Sequence, residues 1–334
     1  MTVVDTLNRP MRALRVSVTD RCNFRCPYCM PREKFGPGFQ FLDRKEILTF
    51  EEIIRLAGVF VSAGVSKIRL TGGEPLLRQD LPDLVRGLAG LPGLHELAMT
   101  TNGSLLRGQA VALRTAGLDR ITMSLDALDE KLFMELSDGR VPLAQVLGGL
   151  EAARSAGFHG IKLNCVLKRG INEKEILPLA EFAREGGYHL RFIEFMDVGT
   201  GNGWRMDKVV PARDVAELIH RTWPIERLPA GANCVAQHWR YRDGRGLVGV
   251  IASVTEPFCA GCDRARLSAA GSLFTCLFAT GGLDLKTPLR TGWSDEALKA
   301  LLDSAWRRRE DRYSELRTEG TPPGDRVEMF HIGG

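Results

Sequence analysis

Short β-rich runs alternate with helix-patterned stretches from about residue 13 to residue 196, as in a parallel sheet assembled from βα units. Strands are predicted at 14–19, 67–70, 96–101, 120–125, 160–167 and 190–195. Between them, residues 50–62, 105–116, 143–155 and 173–184 repeat apolar side chains every three to four positions, the spacing of a helix lying on a sheet. Gly64, Gly117, Gly157 and Gly186 stand at the ends of these stretches, where a residue in the left-handed region closes a helix.

The first strand is followed by a cysteine loop, not by the Gly-rich phosphate fingerprint of a doubly wound sheet, so a barrel is expected. Six units are fewer than the eight of a closed barrel, which makes it an open one. Asn102-Gly103 reads as a βα loop, because a helix-patterned segment follows it. After residue 197 the alternation breaks. Gly199, Gly201 and Gly203 mark a loop, 212–223 reads as a helix, 236–241 and 247–254 read as strands, and 294–308 reads as a charged amphipathic helix. Arg307-Arg308-Arg309 followed by Glu310-Asp311 reads as a solvated face. The expected fold class is α/β: an open (β/α)6, TIM-like partial barrel with a C-terminal α+β extension.

Composition changes this picture only where it touches chemistry. With 44% hydrophobic and 26% charged residues the chain of 334 residues is an ordinary globular one, which argues against disordered, collagenous and membrane-spanning classes. A formal charge of +4 gives no argument for nucleic acid but leaves room for a local cationic pocket. The first 20 residues lack an apolar signal core, and no run reaches the length that spans a bilayer, so a cytoplasmic location is expected. Thiols stay reduced there, and eight cysteines then point to metal or catalysis, not to disulfides: Cys22, Cys26, Cys29, Cys165, Cys234, Cys259, Cys262 and Cys276.

Cys22, Cys26 and Cys29 form a CxxxCxxC run directly after the first strand, so three thiolates can converge on one inorganic centre. A closed zinc site wants a fourth ligand, whereas a [4Fe-4S] cluster held by three thiolates keeps one iron open for another ligand. The run, with Tyr28 as its aromatic, resembles the radical S-adenosylmethionine enzymes, in which the open iron chelates the methionine end of the cofactor. Thr71-Gly72-Gly73-Glu74-Pro75 at the end of the second strand matches the same family's GGEP element. There the paired glycines permit close approach of a ligand, and Glu74 is expected to accept from the ammonium group of S-adenosylmethionine.

Cys259-Ala260-Gly261-Cys262, followed after 13 residues by Cys276, is a second trio, which on spacing alone fits zinc or iron–sulfur equally. Cys165 is expected to be a buried small hydrophobe, and Cys234 is a spare thiol. Arg264 and Arg266, alternating in Asp263-Arg264-Ala265-Arg266, suit an anionic, ring-bearing substrate beside an open metal site, although arginines paired with acids on a strand face would give the same pattern. Arg15, Arg69, Lys162 and Arg191 lie on or beside predicted strands, where cations are costly to bury unless a polyanion meets them.

With both clusters the resemblance narrows to the branch of the family that acts early in molybdenum cofactor biosynthesis, carried by LRVSVTDRCNFRCPYC, KIRLTGGEPLLR, TTNG, SLDA, RFIEFM, FCAGCDRARLS and a terminal Gly333-Gly334. It implies two [4Fe-4S] clusters and S-adenosyl-L-methionine as cofactors. It also implies cyclisation of GTP to (8S)-3′,8-cyclo-7,8-dihydroguanosine 5′-triphosphate, in which a 5′-deoxyadenosyl radical takes hydrogen from C3′ and the C3′ radical attacks C8. Residue by residue, the resemblance assigns Cys22, Cys26 and Cys29 to the first cluster and Cys259, Cys262 and Cys276 to the second. Tyr28, Gly73, Ser124 and Met196 fall to S-adenosylmethionine. Arg15, Arg69, Thr100, Lys162, Arg264, Ala265 and Arg266 fall to GTP, with Lys67 and Arg191 as further cations. Arg264, Arg266, Gly333 and Gly334 are the catalytic assignments, although sequence alone would read the last two as a frayed end. The implied division is 1–197 for the radical barrel and 198–334 for the extension. The implied partners are an electron donor such as flavodoxin or ferredoxin and a cyclic pyranopterin monophosphate synthase that receives the product; a homodimer is compatible with it, and neither nucleic acid nor membrane is implied. Two rival readings remain: a radical enzyme acting on a peptide, and a metal-stabilised RNA-binding module.

Overall fold

The computed structural model describes residues 3–229, 235–317 and 326–333. Among the described residues twelve strands form one sheet: β1 (Ala13–Ser17), β2 (Lys67–Thr71), β3 (Glu96–Thr101), β4 (Arg120–Ser124), β5 (Lys162–Leu167), β6 (His189–Glu194), β7 (Ile225–Arg227), β8 (Gln237–Tyr241), β9 (Leu247–Ile251), β10 (Arg264–Leu267), β11 (Ser272–Phe274) and β12 (Leu283–Asp284). Their order is β12-β11-β10-β1-β2-β3-β4-β5-β6-β9-β8-β7, so the sheet is open. β1 to β6 run parallel, as the βα alternation predicts. The extension does not stand apart from them. β9 adds in parallel to β6, and β10 adds in parallel to β1, so strands from the last third of the chain flank both edges of the six-stranded unit.

Period-two alternation sorts the two faces. Leu14, Val16, Ile68, Leu70, Leu97, Met99, Ile121, Met123, Leu163, Cys165, Leu190 and Phe192 face outward into one apolar core under the helices. Cys165 is fully buried there, as expected of a small hydrophobe. Each large aliphatic side chain removed from water on this face contributes about 1.5–3 kcal/mol. The helix Phe50–Ser62 is fixed on its predicted bounds by a capping box in which Glu52 N donates to Thr49 Oγ1 (3.2 Å) and Thr49 N donates to Glu52 Oε2 (2.8 Å). It buries Ile53, Leu56, Ala57, Val59 and Phe60.

Local differences have local causes. Gly64, Gly117 and Gly157 take positive φ as expected, but after the helix Ile176–Gly186 the left-handed residue is Gly187, one position later than read. The predicted helix 105–116 is a 3-10 turn (Leu106–Gly108) followed by the short helix Ala110–Thr115, with glycine breaking the run. Helices Leu81–Ala89 and Glu130–Ser137 carry too few turns for their periodicity to stand out from flanking charge and proline. The charged run after Asp295–Arg307 is not a solvated face throughout: Arg309 is buried and ion-paired to Asp5 and Asp311. Among the described residues no helix is long and apolar enough to cross a membrane.

Candidate active site

The loop after β1 is held in shape by its own arginine. Arg25 donates from Nη1 to the carbonyls of Cys22 (2.7 Å) and Phe24 (2.8 Å) and from Nε to that of Phe35 (2.9 Å). Asn23 donates to Ser104 Oγ (2.9 Å) and accepts from Asn102 (2.8 Å), which binds the cysteine loop to the loop after β3. Cys22, Cys26 and Cys29 are free thiols. Burial pushes all three up, Cys22 to about 12, with neighbouring acids and thiols adding to the effect. Such thiols stay protonated unless a cationic centre binds them. Tyr28 donates from its hydroxyl to Asp126 Oδ2 (2.6 Å), whose carboxyl is raised to about 6 by burial.

Gly72 and Gly73 pack against the start of this loop, at Thr19 to Arg21. A Cβ at Gly72 would lie 2.3 Å from the Thr19 carbonyl oxygen, and one at Gly73 would lie 2.1 Å from that of Arg21. The glycines therefore permit a backbone–backbone approach inside the protein. Glu74, read as an acceptor for a ligand ammonium, is instead turned inward. Its carboxylate accepts from Leu76 N (3.0 Å), Thr101 Oγ1 (2.7 Å) and Asn102 N (2.7 Å) and is raised to about 7 by burial. It ties the ends of β2 and β3 together.

The inner face of the sheet surrounds a cavity of about 540 Å³. Arg15, Lys67, Arg69, Thr100, Lys162, Arg191, Met196, Arg264 and Arg266 line it together with Cys259, Cys262 and Cys276. Strand register sets the cations side by side: Arg15 pairs laterally with Arg266 on β10 and with Arg69 on β2. Like charges directly opposite on neighbouring strands repel, and here the row is also buried. Burial and then Arg266, Arg264, Arg69 and Arg191 lower the Arg15 pKa. Arg69 spends donors on Thr122 (2.9 Å) and Thr100 (3.3 Å), and Arg191 donates to Asn164 (3.0 Å). Burial, followed by Arg191, Arg120 and Arg69, brings Lys162 down to about 8. Arg120 pairs with Glu96, whereas among the described residues Arg15, Arg69, Lys162, Arg191 and Arg266 form no ion pair. A row of this kind is a receptor for a polyanion.

Ser124 ends β4 on the inner-facing register, next to Asn164. Ala265 departs from its assignment: the alternation of β10 turns its side chain outward into the apolar core opposite Leu14, and only Arg264 and Arg266 reach the cavity. Asn164, Arg120, His238 and Phe258 line the same space without having been singled out. Alternation from Lys162 would have found Asn164, and alternation from Ser124 would have found Arg120.

At the other wall, Cys259 and Cys262 bracket a 3-10 turn. Burial opposes ionisation of Cys262, but Arg264, whose Nη2 lies 3.4 Å from the sulfur, and Arg309 outweigh it and bring the thiol down to about 6. The Arg264 guanidinium also lies 5.2 Å from the Phe258 ring centroid. The C-terminal segment packs beside the first cysteine trio and reaches Arg266. Phe330 packs on Phe35 with centroids 5.0 Å apart, beside Met30, Cys22 and Cys29. Gly333 takes φ +73°, where a Cβ would lie 2.3 Å from Thr71 Cγ2, and its carbonyl accepts from Arg266. Gly334 and Cys234 lie outside the described residues.

The donors of each trio are three thiols with no carboxylate or imidazole among them, a soft set that suits iron–sulfur clusters. Among the described residues no three Cys, His, Asp or Glu side chains converge as ligands of a single ion. A cubane cluster instead takes each thiolate on a different iron.

Residues 16–183 match the Radical SAM superfamily, and residues 188–315 match the Molybdenum Cofactor Synthesis C family. Over 99% of its length the chain is 55% identical to the GTP 3′,8-cyclase of Acidothermus cellulolyticus, covering 98% of that protein. It is 51% identical to the enzyme of the same name from Xanthomonas axonopodis and 43% identical to that from Staphylococcus haemolyticus, covering 98% and 99% of them. Among solved structures, SuiB of Streptococcus suis bound to S-adenosylmethionine shares the fold, with a TM-score of 0.62 at 15% identity over 89% of this chain and 69% of that one.

Proposed function

The chain belongs to the GTP 3′,8-cyclase family of radical S-adenosylmethionine enzymes, and from that premise we propose how its own residues divide the work. Its reaction joins C3′ to C8 of GTP at an early step of molybdenum cofactor biosynthesis. The observation that carries the proposal is the buried row Arg266–Arg15–Arg69, opening on the same cavity as Cys259, Cys262 and Cys276.

Cys22, Cys26 and Cys29 hold the first [4Fe-4S] cluster, and Cys259, Cys262 and Cys276 hold the second. Held there, the first cluster would supply the single-electron reduction that activates S-adenosylmethionine for hydrogen abstraction at C3′. Tyr28, Gly73, Ser124 and Met196 border that cofactor. Arg15, Arg69 and Lys162, with Thr100, take the triphosphate, while Lys67 and Arg191 add charge at the same wall. A triphosphate relieves their mutual repulsion and so is bound and oriented by it. Arg264 and Arg266 close on the nucleotide beside the second trio, and the Gly333-Gly334 tip limits water around the reacting carbons. We further propose two functional units, 1–197 and 198–334, a location in the cytoplasm, a single-electron donor such as flavodoxin or ferredoxin, and transfer of the product to a cyclic pyranopterin monophosphate synthase.

Anaerobic reconstitution tests this reading. About eight irons per chain are expected from two cubane clusters. GTP, S-adenosylmethionine and reductant should then yield 5′-deoxyadenosine together with the cyclised nucleotide. Four irons with one zinc would sink the second-cluster assignment, and binding that polynucleotide competes away as well as GTP does would sink the substrate assignment.

A further inference from the structure

The N-terminal segment reaches across the molecule to the second cysteine trio. Asp5, Arg9 and Arg309 are all buried, and they form one connected group. Arg9 Nε donates to Asp5 Oδ2 at 2.6 Å, and Arg309 Nη1 donates to the same oxygen at 3.3 Å. The other carboxylate oxygen of Asp5 caps the turn, accepting from Leu7 N and Arg9 N at 2.9 Å each. The two guanidinium groups then point at the cysteine loop. Arg9 Nη1 donates to the carbonyl of Cys259 at 2.8 Å, and Arg309 Nη1 donates to that of Cys262 at 2.7 Å. Arg9 also donates to the carbonyl of Asp311 (2.8 Å), and Trp306 Nε1 donates to the carbonyl of Arg9 (2.9 Å). Asp311 pairs with Arg309 Nε at 3.3 Å.

We propose that Asp5, Arg9 and Arg309 are positioning residues for the second cluster: an internal brace that fixes the Cys259–Cys262 turn and sets two guanidinium groups beside the metal site. A buried carboxylate with two buried arginines is weak evidence for stability, since desolvation offsets most of their attraction. Their geometry is the informative part. Asp5 accepts from both guanidinium groups, and each of them donates from Nη1 to the backbone of a ligand cysteine, so two positive charges are fixed beside that turn. Such outer contacts hold ligands in place and tune a centre's potential. Residues 5 and 9 thus serve a site whose ligands lie some 250 positions later in the chain.

The proposal rests on reading the second trio as an iron–sulfur site, and the test separates the two. Asp5→Asn is nearly isosteric and removes the charge that orients both arginines; Arg309→Met removes one fork, and Arg309→Lys restores the charge without it. In the full-length holoenzyme, Asp5→Asn and Arg309→Met should fall from about eight irons per chain toward about four. Cleavage of S-adenosylmethionine without GTP should continue, which reports that the barrel and first cluster are intact. In chains whose Cys22, Cys26 and Cys29 are replaced by alanine, whatever second cluster assembles in Arg309→Met should have a more negative potential than the parent, and Arg309→Lys should return toward it. Full iron content and an unshifted potential in both Asp5→Asn and Arg309→Met would overturn the brace while leaving the function intact. Four irons in the unsubstituted chain would overturn the cluster reading itself.

Discussion

Arg266 donates to the carbonyl oxygen of Gly333, so a cation that faces the cavity also holds the chain's C-terminal segment. The tail is packed: Ile332 is fully buried, Phe330 sits in the aromatic group behind the first cysteine loop, and Gly333 lies against Ser17 and Thr71.

Deleting Gly333-Gly334 removes this contact without touching either trio. Folding and iron content are expected to be unchanged, with cyclisation lost. Normal turnover of GTP by the truncated chain would show that the tail is not needed.

The arginine row predicts opposite effects on stability and binding. Arg15 is buried, and the charges that act on it most strongly are Arg266, Arg264, Arg69 and Arg191. Arg15→Met should leave the ligand-free thermal midpoint unchanged or higher and should weaken GTP binding ten- to a hundredfold, about 1.4–2.7 kcal/mol. Calorimetry with GTP and with guanosine checks this, because the loss should vanish for the nucleoside.

Gly73→Ala tests the packing of the loop after β2. The added Cβ would meet the Arg21 carbonyl oxygen at 2.1 Å, and backbone cannot give way there as a side-chain tip can. S-adenosylmethionine binding should be lost while GTP affinity changes less than threefold. Comparable losses of both would mean the loop shapes the whole cavity.

His189 predicts an acid limb in the stability profile. Burial, then Lys162, His238 and Arg191, lowers its pKa from 6.5 to about 3. Above 6.5 neither folded nor unfolded imidazole carries the proton. As pH falls from 6.5 toward 3, the unfolded chain takes up a proton that the fold refuses, so stability declines across that window. His189→Gln should flatten the decline, read as the shift in urea midpoint between about pH 7.5 and about 5.

Much of the architecture was legible because it follows local periodicity. The run 96–101 became β3 on its predicted bounds, and the same holds for helices Phe50–Ser62 and Leu143–Ser155. The cysteine spacing pointed to two trios, and Cys259, Cys262 and Cys276 of the second line one cavity. What sequence hid depends on contacts between distant segments. Nothing near Arg309 signals that Asp5 will meet it, so within a charge run whose Arg307, Arg308 and Glu310 are solvated, Arg309 alone is buried. Ala265 was grouped with its arginine neighbours, although strand alternation, correctly applied, sends it to the opposite face. Glu74 was read as facing a ligand, because the donors that occupy it, Thr101 and Asn102, come from another strand end.

The order of strands in the sheet also bears on synthesis. β6 waits for β9 and β1 waits for β10, so a nascent chain that has completed all six βα units still has two unpaired edges and an unfinished lumen. Exposed parallel edges invite pairing with other chains until their partners arrive. Ribosome stalling between residues 197 and 247 should therefore produce a species that depends on chaperones, and a cluster inserted before β10 is made would enter a site that still lacks one wall.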